Sequence, residues 1–168
     1  MASFGTISLV GMPGAGKSTV GVLLAKLTRL RFVDTDLDIQ VRAGATLQEI
    51  LDQYGYRHLR QLEEQVLLTI PLDHALISTG GSVVYSAASM QRLKAAGPVV
   101  YLRASLSTLE QRIAGAPLRG IASDTAQSFE SVYAERTPLY EKYADLTVGA
   151  DTGTAETVAM GILSELSR

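Results

Sequence analysis

Ile7-Ser8-Leu9-Val10-Gly11-Met12-Pro13-Gly14-Ala15-Gly16-Lys17-Ser18 is the stretch on which the fold turns, and Thr19 leads from it into a segment of helical spacing over 20–27. The short apolar run before Gly11 reads as a buried strand. Two glycines enclosing four residues, then Lys and Ser, match a phosphate-binding loop, and the match sits where its mechanism requires, between a strand and a helix. The glycines let the backbone turn sharply and aim successive N–H groups at one point, to which the helix adds its positive dipole end. Lys17 is placed to reach β- and γ-phosphates and the Ser18 hydroxyl to ligate Mg²⁺. A Gly-rich turn with a solvated lysine shares this composition but not this context. The loop identifies a nucleotide and leaves the reaction open.

Working outward, the apolar segments 31–33, 75–78, 99–102 and 146–148 are short and rich in β-branched residues, as buried strands are. Helical periodicity fills 47–51, 62–68, 90–95, 106–113, 129–143 and 155–166. Strands alternating with helices predict right-handed crossovers and a mostly parallel sheet covered on both faces, a three-layer α/β fold. A chain of 168 residues and 17.9 kDa fits one domain, 1–168. Residues 115–127 are dense in small and turn-forming types and predict a long functional loop.

The net charge of -2 and a pI near 5.7, with both signs mixed along the chain, predict no nucleic-acid partner. With no cysteine, neither a disulfide framework nor a thiolate metal site is possible. The start lacks the charged, apolar plan of a secretion signal and no run is long enough for a bilayer, so the expectation is a soluble, cytoplasmic monomer without a membrane partner. His58 and His74 stand apart without metal-ligand spacing and read as structural. Tyr140 and Tyr143 read as core and boundary packing.

Asp34-Thr35-Asp36 follows the second strand, at the carboxyl end where open α/β sheets bind ligands. One carboxylate suits water held on Mg²⁺, and the other suits an acceptor hydroxyl that must be oriented or deprotonated. A helix over 37–42 capped by Thr35 or Asp36 is the competing reading.

With these residues the chain resembles the shikimate kinase family, of nucleoside-monophosphate-kinase-like fold, from the first strand to the last helix. The family's phosphate loop, Asp-x-Asp, arginine helix, glycines after the third strand, lid arginine and Arg-x-Pro-Leu-Tyr fall here at Gly11 to Ser18, Asp34 to Asp36, Leu59 to Glu63, Gly80-Gly81-Ser82, Arg119-Gly120-Ile121 and Arg136 to Tyr140. The resemblance implies a five-stranded parallel sheet of order 2-3-1-4-5 with flanking helices, an acceptor-binding region at 34–62 and a lid at 115–127. It implies transfer from ATP, with Mg²⁺, to the shikimate 3-hydroxyl. Gly14, Ala15, Gly16, Lys17, Ser18, Thr19, Arg112 and Arg119 would hold the nucleotide, with Arg112 packing on adenine. Ser18 and Asp34 would serve the metal, and Lys17, Asp36 and Arg119 would be catalytic.

For the acceptor the resemblance assigns Asp36, Arg60, Gly80, Gly81 and Arg136, with Glu63 orienting Arg60. The physics agrees. A planar guanidinium matches a carboxylate in a way lysine does not, glycines bring bare N–H groups close, and a lid arginine neutralises charge on a moving phosphoryl group. Pairing of Arg60 with Glu63 or Glu64, and of Arg136 with Glu141, are the plain alternatives.

The chain departs from the family pattern at Leu59 and Leu51, which replace aromatic pocket walls, and at Tyr56, which replaces a glutamate. Ser82 stands for the third glycine, Arg119-Gly120-Ile121 for Arg-Pro-Leu, and 149–154 lacks the usual Arg or Pro. Two rival readings follow: a kinase of another polyhydroxy acid such as gluconate, and a nucleotide-binding switch without acceptor chemistry.

Overall fold

Five apolar runs too short for stable helices pair side by side instead, and each places its carboxyl end at one edge of the molecule. In a computed structural model that describes residues 4–115, 121–124 and 126–168, the strands are β1 Thr6–Val10, β2 Arg31–Asp34, β3 Ala75–Ser78, β4 Val99–Arg103 and β5 Leu146–Gly149. All pair in parallel in the order β2-β3-β1-β4-β5. Thr6 aligns with Ala75 and Ser8 with Val99, so β1 lies at the centre with every residue buried. The chain winds from β1 to one side through β2 and β3, then crosses to β4 on the other. This reversal opens a crevice at the carboxyl ends of β1 and β3, the usual ligand position in such sheets.

The helices are α1 Lys17–Thr28, α2 Thr35–Ala43, α3 Leu47–Tyr54, α4 Tyr56–Thr69, α5 Ala87–Ala96, α6 Leu106–Ala114, α7 Phe129–Tyr143 and α8 Ala155–Leu166. A 3₁₀ turn, Val83–Tyr85, joins the loop after β3 to α5. The core runs along both sheet faces, with Ile7, Leu9, Leu76, Ile77, Val99 and Val100 inaccessible to solvent. Burial of such side chains contributes about 1.5–3 kcal/mol each. Tyr101 of β4 stacks on Tyr140 of α7 with ring centres 5.2 Å apart and locks that helix to the sheet. Among the described residues no helix is long and apolar enough to cross a membrane.

Spacing and structure agree at β3, α7 and α8, and differ at helix starts. α1 begins at Lys17, before the expected 20, and α4 begins at Tyr56, before the expected 62. At α1 the first turn, Lys17 to Thr19, is polar and lines a cavity, so the apolar period starts late; at α4 the polar pair Arg57 and His58 interrupts the period between Tyr56 and Leu59. α2 begins at Thr35 because its cap is Asp34, whose carboxylate accepts from the N–H groups of Asp36 and Leu37. Thr35 and Asp36, the residues expected to cap, are already helical.

Candidate active site

The end of β1 and the start of α1 build the cradle. Gly14 and Gly16 hold positive φ angles of 88° and 94°, where a Cβ is costly. A Cβ on Gly11 would lie 2.8 Å from the Leu102 carbonyl oxygen on β4. At α2, α3, α5, α6, α7 and α8 an Asp, Thr or Ser side chain takes a first-turn N–H. At α1 Gly16 stands in that place and offers none, which leaves donors and the positive helix end for an anion. Lys17 is only 8% exposed, and its Nζ donates to the carbonyls of Gly11 and Met12 at 2.7 and 2.9 Å.

Gly14, Gly16, Lys17, Ser18, Thr19 and Arg112 line one cavity of about 640 Å³. Ala15 lies buried behind it, with its N–H on the Met12 carbonyl at 3.1 Å. Arg112 donates to the carbonyls of Gly14 at 3.2 Å and Ala150 at 2.6 Å, and so ties the cradle to the turn after β5. Arg119, the expected lid arginine, lies outside the described residues, as do the rest of 116–120 and residue 125.

The same cavity reaches the carboxyl ends of β2 and β3. Asp34 accepts from the Ser18 hydroxyl at 3.1 Å, so the two oxygen donors expected at a metal are adjacent. Among the described residues no cluster of three His, Cys, Asp or Glu forms a cage of its own. Thr35 is fully buried, and its hydroxyl donates to the Ser78 carbonyl at 3.4 Å and accepts from the Gly80 N–H at 3.2 Å. This clamp sets Asp36 beside Gly80.

The Gly80 N–H, expected to face the acceptor, is bonded to the Thr35 hydroxyl in this structure, and the missing side chain leaves space beside two carboxylates. A Cβ there would lie 2.8 Å from both Asp36 Oδ1 and Glu63 Oε1. On Gly81 it would lie 2.8 Å from Arg136 Nη1. The hydroxyl of Tyr140 donates to the Gly81 carbonyl, so a residue read as core packing also fixes this turn.

Glu63 does not orient Arg60. Its Oε2 accepts from the Ser82 hydroxyl and its buried Oε1 has no partner. Burial, and then the charge of Asp36, push its carboxyl up to about 7, against smaller opposing effects of Ser82, Arg136 and Lys17. The serine in place of the third glycine thus anchors a carboxylate inside the site.

Arg136 is 1% exposed, lines the cavity, and leaves its Nε without a partner. Its Nη2 donates to the Ala122 carbonyl at 3.0 Å, and Arg60 Nε donates to the same oxygen at 3.0 Å. Among the described residues the ion pairs are Lys94 with Asp145 and Arg168 with Glu165. The alternatives Arg60 to Glu63 or Glu64, and Arg136 to Glu141, are not formed. Two guanidinium groups converge on one neutral oxygen, an arrangement that favours an anion.

Arg60 lines a neighbouring opening with Tyr56, Gln127 and Glu135, and Ala122 is the link to the main cavity. Leu59, Leu47 and Ile39 supply the aliphatic wall, whereas Leu51 packs into the core and not on the cavity. The part of Ala122 was not legible, because a backbone carbonyl carries no residue signature.

The shikimate kinase family model matches residues 13–167. The chain is 37% identical to the shikimate kinase of Pseudomonas syringae pv. tomato over 162 residues, 95% of this chain and 94% of that one. It is 36% identical to shikimate kinase 1 of Yersinia enterocolitica, across 99% and 98% of the two chains. The structure of Acinetobacter baumannii shikimate kinase in complex with shikimate superposes with a TM-score of 0.86 at 32% identity, covering 98% of this chain and 94% of the other.

Proposed function

The chain belongs to the shikimate kinase family, and from that premise we propose how its own residues carry out ATP-dependent phosphorylation of the shikimate 3-hydroxyl, a step of aromatic amino-acid biosynthesis. The observation that carries the reading is Arg136: a buried cation that forms no salt bridge among the described residues, in the cavity that also holds the phosphate cradle. The acceptor carboxylate takes the place now held by the Ala122 carbonyl and bonds to Arg136 and Arg60. Gly81 leaves room for that approach.

Asp36 receives the acceptor hydroxyl and orients its oxygen toward the cradle. Burial and the Asp36 charge raise the Glu63 carboxyl to about 7, so that near neutral pH it takes up a proton part of the time and eases the like charge on Asp36 across Gly80. The nucleotide's phosphates lie on the N–H groups of 14–19, and Lys17 exchanges its carbonyl partners for phosphate oxygens. Ser18 and Asp34 are the residues that would hold Mg²⁺, which when bound neutralises charge on the phosphates. Arg112 frames the base side, and Arg119 supplies further positive charge from a lid at 115–127. The acceptor region is 34–62, within one domain spanning 1–168.

A coupled ADP-release assay with Mg-ATP and shikimate tests this reading. Turnover that depends on shikimate is expected. A rate equal to the ATP-only blank at roughly millimolar acceptor, ample against usual Michaelis constants, would contradict it.

A further inference from the structure

The Arg60 guanidinium centre lies 3.8 Å from the ring centre of Tyr85, and that of Arg136 lies 5.4 Å from the same ring. Two like charges are thus gathered where, among the described residues, neither forms a salt bridge, although hydrogen bonds from Tyr85 and Gln127, and then the charges of both arginines, hold the nearby Glu135 carboxyl below its ordinary range. The negative face of an aromatic ring is a group that attracts both without neutralising them. Tyr85 closes the 3₁₀ turn whose other residues, Val83 and Val84, are buried at 1% and 2% exposure, so its backbone is anchored. Its hydroxyl donates to Glu135, the residue before Arg136 on α7. Glu135 also accepts from Gln127 Nε2 at 3.0 Å. Burial holds the phenol above its ordinary range, so the ring is neutral where the arginines meet it.

We propose that Tyr85 is a positioning residue for the acceptor acid, its ring presenting Arg60 and Arg136 side by side for one carboxylate. The proposal rests on the acceptor reading above and adds a source of selectivity for acids over neutral polyols. Tyr56 is a second ring near Arg60, at 4.9 Å, but it also meets Arg57, which donates to its hydroxyl at 3.2 Å. The larger share falls to Tyr85.

Steady-state kinetics of the unaltered chain, Tyr85→Phe and Tyr85→Leu test the proposal, with shikimate and ATP varied in turn. Phe keeps the ring face and Leu keeps apolar bulk without it. Tyr85→Leu is expected to raise KM for shikimate about fivefold, with kcat within about twofold and KM for ATP unchanged, while Tyr85→Phe stays within about twofold throughout. Tyr85→Met serves if the Leu variant does not fold. Equal effects of Phe and Leu, or a rise in KM for ATP in step with that for shikimate, overturn the proposal while leaving the acceptor reading intact. Absence of turnover in the unaltered chain overturns the acceptor reading and this proposal with it.

Discussion

The two halves of the cavity are built in opposite ways. On the nucleotide side one continuous segment, 11–19, does most of the work, and its groups are mutually tied: Lys17 to the Gly11 and Met12 carbonyls, Arg112 to those of Gly14 and Ala150. On the acid side α4 sends Arg60 and Glu63, α7 sends Arg136, the 3₁₀ turn sends Tyr85 and the segment at 121–124 sends the Ala122 carbonyl, and two atoms, Arg136 Nε and Glu63 Oε1, remain without a hydrogen-bond partner. A site completed by backbone is formed before its ligand arrives. A site made of gathered, unpaired charges is completed by its ligand. Changes on the acid side are therefore expected to alter acceptor terms and to leave ATP binding nearly untouched.

The largest effect is expected where the halves meet. Asp36→Asn should lower kcat by about 10³-fold, within the range for loss of a positioned proton acceptor, while ATP affinity by titration stays within about twofold. Next is Arg136→Lys. The lysine keeps a charge but not the planar fork, so kcat/KM for shikimate should fall about 100-fold with KM for ATP unchanged. A loss shared equally by both substrates would mean that the halves are not separate.

Smaller is Gly80→Ala, whose Cβ would press on Asp36 and Glu63 at 2.8 Å. The carboxylates must give way, and kcat/KM for shikimate should fall about tenfold, as expected for a reacting group moved by part of an ångström.

The nucleotide half was legible in the sequence because a positive-φ backbone admits few residues besides glycine, so chemistry left a fixed spacing from Gly11 to Ser18. Asp34 and Asp36 were legible as a pair, but not the division of labour in which Asp34 also caps α2 and Thr35 consumes the Gly80 N–H. The helix start at Lys17 was missed because its first turn lines the cavity and is polar, and that at Tyr56 because Arg57 and His58 interrupt the apolar period. Glu63 was misread because sequence neighbours on a helix suggested Arg60, whereas tertiary packing brought Ser82 to it. Tyr85 and the Ala122 carbonyl had no pattern at all, since each matters only through residues distant in sequence.

The last expected effect is on stability against pH and not on turnover. The folded carboxyl of Glu63, raised to about 7 from an ordinary 4.5, binds a proton that the unfolded chain has released between those values. Stability should therefore be full below about pH 4.5 with respect to this group and decline as pH rises toward 7, by up to ~3 kcal/mol. Glu63→Gln should flatten that slope in urea melts taken from pH 5 to 8. An unchanged slope would show that the carboxyl titrates normally.

The most direct test is a crystal structure with shikimate and ADP bound. The carboxylate should lie within hydrogen-bond distance of Arg136 Nη2 and Arg60 Nε, with the Ala122 carbonyl displaced from both. Shikimate bound with its carboxylate elsewhere, and the two guanidinium groups still on Ala122, would contradict the account.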